Sequence, residues 1–185
     1  AISGEQFEEL KRMDKEHPGK LGFCFQNRYN ETTLAMDKMV EEGLIGEIRG
    51  ARAFVTWRRD EDYYEGSDWK GNWATEGGGV LLNQAIHTLD LMLHYLGEPL
   101  QIAGTMANHH LQGCIEMEDT VEAWMSFEDG KRACFYASNG YVTDAPVILE
   151  LQGENGRITM NGDQICLWTP KGGAQHFAYE QKSGI

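Results

Sequence analysis

The second half of the chain alternates between two kinds of residue. In "DTVEAWMSF", Val121, Ala123, Met125 and Phe127 alternate with Thr120, Glu122, Trp124 and Ser126. A period of two places one set on each face of a β-strand. "EDGK" at 128–131 supplies an Asp-Gly hairpin turn, and "RACFYAS" returns after it. "PVILEL", "RITMN" and "QICLW" follow, separated by "GENG" and "NGD" turns. So many short strands joined by tight turns force a largely antiparallel sheet. "EIRGARAFVTWR", from Glu47 to Arg58, adds an earlier β-like segment.

Helical periods fall before this run. Ser3 reads as an N-cap with Gln6 three residues on, the spacing of a capping box. Phe7, Leu10 and Met13 form that helix's apolar stripe, and "HPG" at 17–19 ends it. "KLGFCF" then reads as a short buried strand. A second helix, about residues 31 to 43, uses Leu34, Met36, Met39 and Val40 and stops at Gly43. Helices early and strands late define an α+β fold: an open, mostly antiparallel sheet with helices on one face. No repeat, low-complexity tract or flexible linker interrupts it.

With 185 residues the chain buries a core without disulfides or metals. Cys24, Cys114, Cys134 and Cys166 form no CxxC pair and fall in apolar or strand-like segments, which reads as buried free thiols. That pattern points to a reducing compartment, the cytoplasm. The start has no signal-peptide core, and no apolar run is long enough to span a membrane. A net charge of -13, with no Lys/Arg block, excludes a nucleic-acid partner. The partner expected is a small molecule or another copy of the chain.

The densest chemistry lies in "WATEGGGVLLNQAIHTLDLMLHYLG", residues 73–97. After Gly77, Gly78 and Gly79, Leu82, Ala85, Ile86, Leu89, Leu93 and Leu96 recur at helical spacings, and Gly97 and Pro99 end the helix. Asn83, His87, Asp90 and His94 share another face. That face is either a solvated stripe or the lining of a site. As a site its chemistry is coherent: a neutral imidazole accepts a proton from an alcohol near neutral pH. Asn83, one turn earlier, reaches the same ligand. The glycines admit a ligand to the free N–H donors of the helix start.

Upstream, "TWRRDEDYYEGSDWKGNW" sets Trp57, Tyr63, Tyr64, Trp69 and Trp73 in a polar, loop-like stretch. Tryptophan exposed in a polar loop wastes apolar area, so these rings either stack on a ligand such as a sugar or tuck back onto the sheet. Gln26, Asn27 and Arg28 follow the "LGFCF" segment, where polar side chains either enter a crevice or form an ordinary turn. "NHH" at 108–110, near Glu116, Glu118 and Asp119, is not expected to bind metal, because adjacent strand residues point to opposite faces. No GxGxxG, GK[ST] or GxSxG is present.

Four blocks in order, "KLGFCFQNRYN", "GEIRGARAFVTW", "WKGNWATEGGGVLLNQAIHTLDLMLHYLG" and "MEDTVEAWMSFEDGKRA", closely resemble the second domain of the glucose-fructose oxidoreductase / inositol dehydrogenase / MocA family. The resemblance implies a two-domain parent, with an N-terminal Rossmann domain binding NAD or NADP and an open-sheet domain binding a sugar, inositol or related polyol. On that reading residues 1–28 are the end of the Rossmann domain, its last helix and strand, and residues 29–185 are the substrate and oligomerisation domain. His87 matches the family's proton-transfer histidine. Many members carry an aspartate where this chain has Asn83, which then positions His87 or the substrate. Gln26, Asn27 and Arg28 lie near the nicotinamide end. Trp57, Arg58, Tyr64, Trp69 and Trp73 frame the substrate pocket. The family's Glu-Lys-Pro lysine falls before this chain, so the 185 residues alone are expected neither to hold the cofactor tightly nor to turn over. The resemblance further implies a homo-oligomer formed through the open sheet face, where Trp124, Cys134 and Tyr136 lie opposite the core. The alternative reading is a non-enzymatic carbohydrate-binding or self-association module.

Overall fold

The computed structural model describes residues 3–179, so residues 180–185 of the expected second domain lie outside the described residues. Helix α1 (Gly4–Glu16) begins where Ser3 Oγ accepts the Gln6 N–H at 3.2 Å, as the capping pattern requires. It buries no residue, and Phe7 and Met13 remain exposed. The strand expected in "KLGFCF" does not form: residues 20–25 carry no regular secondary structure, and Leu21 and Phe23 are exposed. A strand exists through its ladder, and among the described residues none pairs with this segment. A 3-10 turn (Gln26–Tyr29) leads into α2 (Glu31–Glu41), which buries Met36 and Met39 and leaves Leu34 in solvent.

Strand β1 (Ile48–Thr56) is followed by the short α3 (Glu61–Glu65), a helix inside the aromatic stretch expected as loop. A π turn (Leu81–Ala85) then opens α4 (Ile86–Leu96), which ends at Gly97 with φ +84°. The π turn shifts the helix's phase. The buried positions are Val80, Gln84, Ala85, Leu91, Met92 and Leu96, with Thr88, whereas Leu82 of the expected stripe is exposed and Ile86, Leu89 and Leu93 are half-buried. An i→i+5 turn carries one more residue than an α-turn, so residues on either side of it no longer keep one period.

The remaining strands are β2 (Gln101–Ala107), β3 (Thr120–Ser126), β4 (Arg132–Ser138), β5 (Ile148–Gly153), β6 (Arg157–Asn161), β7 (Gln164–Thr169) and β8 (Gly173–Ala178). They form one eight-stranded sheet in the order β2-β3-β4-β1-β5-β6-β7-β8. The β1–β4 pairing is parallel and the other junctions are antiparallel. Ala53 and Val55 of β1 face α4, and Phe135, Leu149, Leu151, Ile158 and Ile165 continue the same buried face. Small residues on the central strand let the helix approach closely. The fold class read from the sequence holds. The cysteines are free as expected, but they are not buried: Cys24 is exposed and the other three are partly exposed. Cys134 and Cys166 alternate with buried neighbours on their strands, and Cys114 packs partly against Tyr64, Leu111 and Ile115. Among the described residues no helix is long and apolar enough to cross a membrane.

Candidate active site

The polar stripe of α4 is met by side chains from the 3-10 turn and α2. His87 Nε2 lies 3.4 Å from Gln26 Nε2, and its ring meets Phe25 edge-on at 6.0 Å between centroids. Arg28 holds Asp90 through two bonds of 2.7 Å, a bidentate pair that raises the guanidinium's pKa further. His94 Nε2 lies 3.3 Å from Asp37. The stripe is therefore a docking seam for residues 25–37 rather than a solvated face. Within it, His87 Nδ1 is sheltered from solvent and has no hydrogen-bond partner. No hydrogen bond joins His87 to Asn83 among the described residues.

The glycine turn does something other than admit a ligand. Glu118 accepts from the Gly79 N–H at 3.0 Å and the Leu81 N–H at 3.2 Å through its carboxylate and from the Val80 N–H at 3.0 Å through its backbone carbonyl, so these three donors at the helix start are already occupied. A Cβ at Gly79 would run into the Glu118 backbone carbonyl. Gly77 adopts φ +82°, a left-handed turn suited to glycine. The glycines bring the helix start against the segment before β3. Next to them Glu76, buried, accepts from the Gly71 N–H at 2.6 Å and from Asn83 Nδ2.

Asp119 is fully buried. Its carboxylate receives the backbone N–H groups of His109, His110 and Leu111 and the hydroxyl of Thr120. Burial alone would raise its pKa, but these four donors outweigh it and hold the carboxyl below its ordinary range. The "NHH" motif is thus a turn whose backbone wraps a carboxylate. Among the described residues no group of His, Cys, Asp and Glu is arranged to hold a metal.

The five aromatic and basic pocket candidates divide. Trp57 tucks back, its Nε1 donating to Ala145 O at 3.1 Å, and the Arg59 guanidinium stacks between the rings of Trp57 and Tyr63 at 5.0 and 5.1 Å. Tyr64 is buried among Leu111 and Ile115, and burial, with a lesser push from the charge of Glu76, raises its hydroxyl to about 12. Asn139 donates to Tyr64 Oη and to Gln84 Oε1, both at 3.1 Å. Gln84, redirected inward by the π turn, donates to Tyr63 Oη at 3.3 Å. Trp69 and Trp73 remain about half exposed, with Trp73 anchored through Nε1 to Glu116 O at 3.1 Å.

Arg58 pairs with Asp60 at 2.8 Å and lines a cleft of about 440 Å³ with Arg59, His110, Asn139 and Tyr141. Asn139 Oδ1 and Arg59 Nε are buried there without partners, one acceptor and one donor. Asn139, Gln84, Glu76, Glu118 and Asp119 are not singled out as site residues by sequence reasoning. The inward turn of Gln84 depends on a π turn that periodicity does not encode.

An open, mostly antiparallel sheet with a histidine-bearing helix packed over its central strand is the architecture of an α+β domain. A profile of the GFO/IDH/MocA C-terminal domain matches residues 33–159, and the chain belongs to that family. Among solved structures, the WlbA dehydrogenase from Bordetella pertussis, in complex with NADH and UDP-GlcNAcA, superposes with a TM-score of 0.79 and 26% identity, over 88% of this chain and 50% of that one. Levoglucosan dehydrogenase in complex with NADH and levoglucosan gives 0.84 and 19%, over 97% and 52%. An NAD binding oxidoreductase from Klebsiella pneumoniae gives 0.82 and 18%, over 96% and 52%. The last two bear on the fold alone. The chain spans about half the length of these solved relatives. No curated protein sequence matches it.

Proposed function

We propose that the chain is the substrate-side part of an NAD(P)-dependent oxidoreductase that transfers hydride to or from a sugar, inositol or related polyol, with His87 moving the hydroxyl proton. The observation that carries this reading is the state of His87: one ring nitrogen faces the Gln26 amide and the other is sheltered and unpaired. An orphaned buried nitrogen on the helix face that meets residues 25–28 fits a bound reactant better than a packing role. The residues present fit the reacting end of a nicotinamide cofactor: Gln26 and His87 would border it, while Arg28 is committed to Asp90 and orders the seam. When bound, that cofactor supplies the hydride acceptor or donor. His87 takes or returns the alcohol proton, Asn83 and the Arg58–Tyr141 cleft hold hydroxyls, and Trp69 and Trp73 offer faces for a sugar ring.

Residues 1–28 belong, on this reading, to the end of the dinucleotide-binding domain. The exposed Phe7, Met13, Leu21 and Phe23 support a covered surface there. The open sheet face is assigned to self-association in a cytoplasmic homo-oligomer. The enzyme carrying this domain is the place to test the assignment, with His87→Asn. The expected loss is about 10²–10⁴-fold in kcat with polyol binding retained. Unchanged turnover, or no NAD(P)-linked turnover of any sugar or polyol by the unsubstituted enzyme, would overturn the reading.

A further inference from the structure

Glu76 stands immediately before the glycine turn and is only 6% exposed. Its two oxygens accept from the Gly71 N–H and from Asn83 Nδ2, so neither hydrogen-bond partner is a cation.

The carboxylate also fixes how Asn83 is oriented. An ionised carboxylate has acceptors alone, so the amide must turn its NH₂ toward Glu76 and its Oδ1 away. Among the described residues Oδ1 receives no hydrogen bond, and Asn83 is partly open to solvent. An aspartate at position 83 would set two carboxylates at hydrogen-bond distance, and one of them would have to keep a proton. Asn83 is thus the complement of Glu76: the negative charge lies on the residue before the glycine turn, and an amide stands in the π turn.

We propose that Glu76 is a positioning residue of this site, which locks Asn83 as a hydrogen-bond acceptor one turn from His87. The inference rests on the oxidoreductase reading for what that acceptor meets. It suits a hydroxyl donor, hence the alcohol form of a polyol, and offers nothing to a carbonyl oxygen. The charged and titratable groups near Glu76 are Tyr64 of α3, whose hydroxyl feels its charge, Tyr63 beside it with Lys70 lying 3.6 Å over its ring, and Glu116 and Glu118 before β3.

The test is a charge-exchange cycle in this chain: Asn83→Asp, Glu76→Gln and the double variant, each melted from about pH 5 to about pH 8. Asn83→Asp should lower Tm, with a deficit that grows as pH rises. The sign follows from like charge: two carboxylates at hydrogen-bond distance share a proton at low pH and repel each other once rising pH removes it. The double variant should regain most of the lost Tm. Its amide at position 76 would donate to its carboxylate at position 83, so the two sites exchange roles across the same contact. That recovery is expected even where Asn83→Asp alone does not fold. In Glu76→Gln the Asn83 amide should flip, and its side-chain NH₂ resonances should move from the downfield position of a charge-assisted bond. A pH-independent deficit, no recovery in the double variant, or unmoved amide resonances would overturn the proposal. None of these readouts depends on turnover, so the pairing and the oxidoreductase reading can fail separately.

Discussion

Asp119 shows how much a single buried side chain can organise without announcing itself. Three consecutive backbone N–H groups, of His109, His110 and Leu111, end on its carboxylate, and Thr120 adds a hydroxyl. Replacing it with Asn turns an NH₂ group toward donors and strands at least one of them, at a cost of about 2–3 kcal/mol. The folded pKa of Asp119 lies below its unfolded value, so its stabilisation is present above the unfolded value and fades as pH falls through the folded one. Urea melts across the acid range should therefore show Asp119→Asn less stable at neutral pH and the gap closing below about pH 4. A constant gap would deny the carboxylate this role. His87 is legible in the sequence because its partners on the helix recur at readable spacings. Glu76, Glu118 and Asp119 are not, since they act through backbone donors and a neighbouring amide, and in sequence such carboxylates look like ordinary solvated acids.

Elements are legible wherever one period runs unbroken. The strand alternation in residues 120–127 and the capping of α1 match the structure, because each rests on neighbours within a few residues. The start of α4 departs from its periodicity because its π turn comes from tertiary contacts: Glu118 holds the Gly79 and Leu81 N–H groups, and Gln84 is drawn inward to Asn139. The glycines look like a ligand-binding loop and serve as a joint. Gly79→Ala would press a methyl into the Glu118 carbonyl and push the helix start off its cap. A destabilisation of about 1–3 kcal/mol is expected from the overpacking. Chemical denaturation measures it, and a variant as stable as the parent chain would mean the joint has slack that the structure denies. The "LGFCF" segment differs for another reason: its composition is apolar enough for a strand, but composition cannot supply the neighbouring strand that a ladder needs.

At the scale of the molecule, the order of strands is hidden in the sequence while their faces are not. Successive hairpins suggest a meander, yet β1 inserts between β4 and β5 by a parallel pairing, placing the earliest strand near the centre. The two faces then differ as alternation predicts. One carries the helices and the core. On the other, Trp124 is 69% exposed, the rings of Phe54 and Tyr136 lie 6.3 Å apart, and Arg52 pairs with Glu150 at 3.0 Å, which in turn accepts from Thr159 at 3.1 Å. Such a face, aromatic toward β3 and β4 and polar toward β5 and β6, suits a second copy of itself, because charged and apolar regions can be matched by a two-fold rotation. Trp124 is its most exposed ring, and a large aromatic at the centre of an interface contributes far more than a rim residue. Trp124→Glu should therefore reduce the light-scattering mass at micromolar concentration to that of one chain. Because Trp124 lies outside the core, the stability of the single chain should change by no more than about 0.5 kcal/mol. If the parent chain already scatters as a single chain, the open face has another role. If the variant keeps the larger mass, association runs through a different surface, and the exposed edge strand β2, with Ile102 and Met106 uncovered, becomes the next place to look.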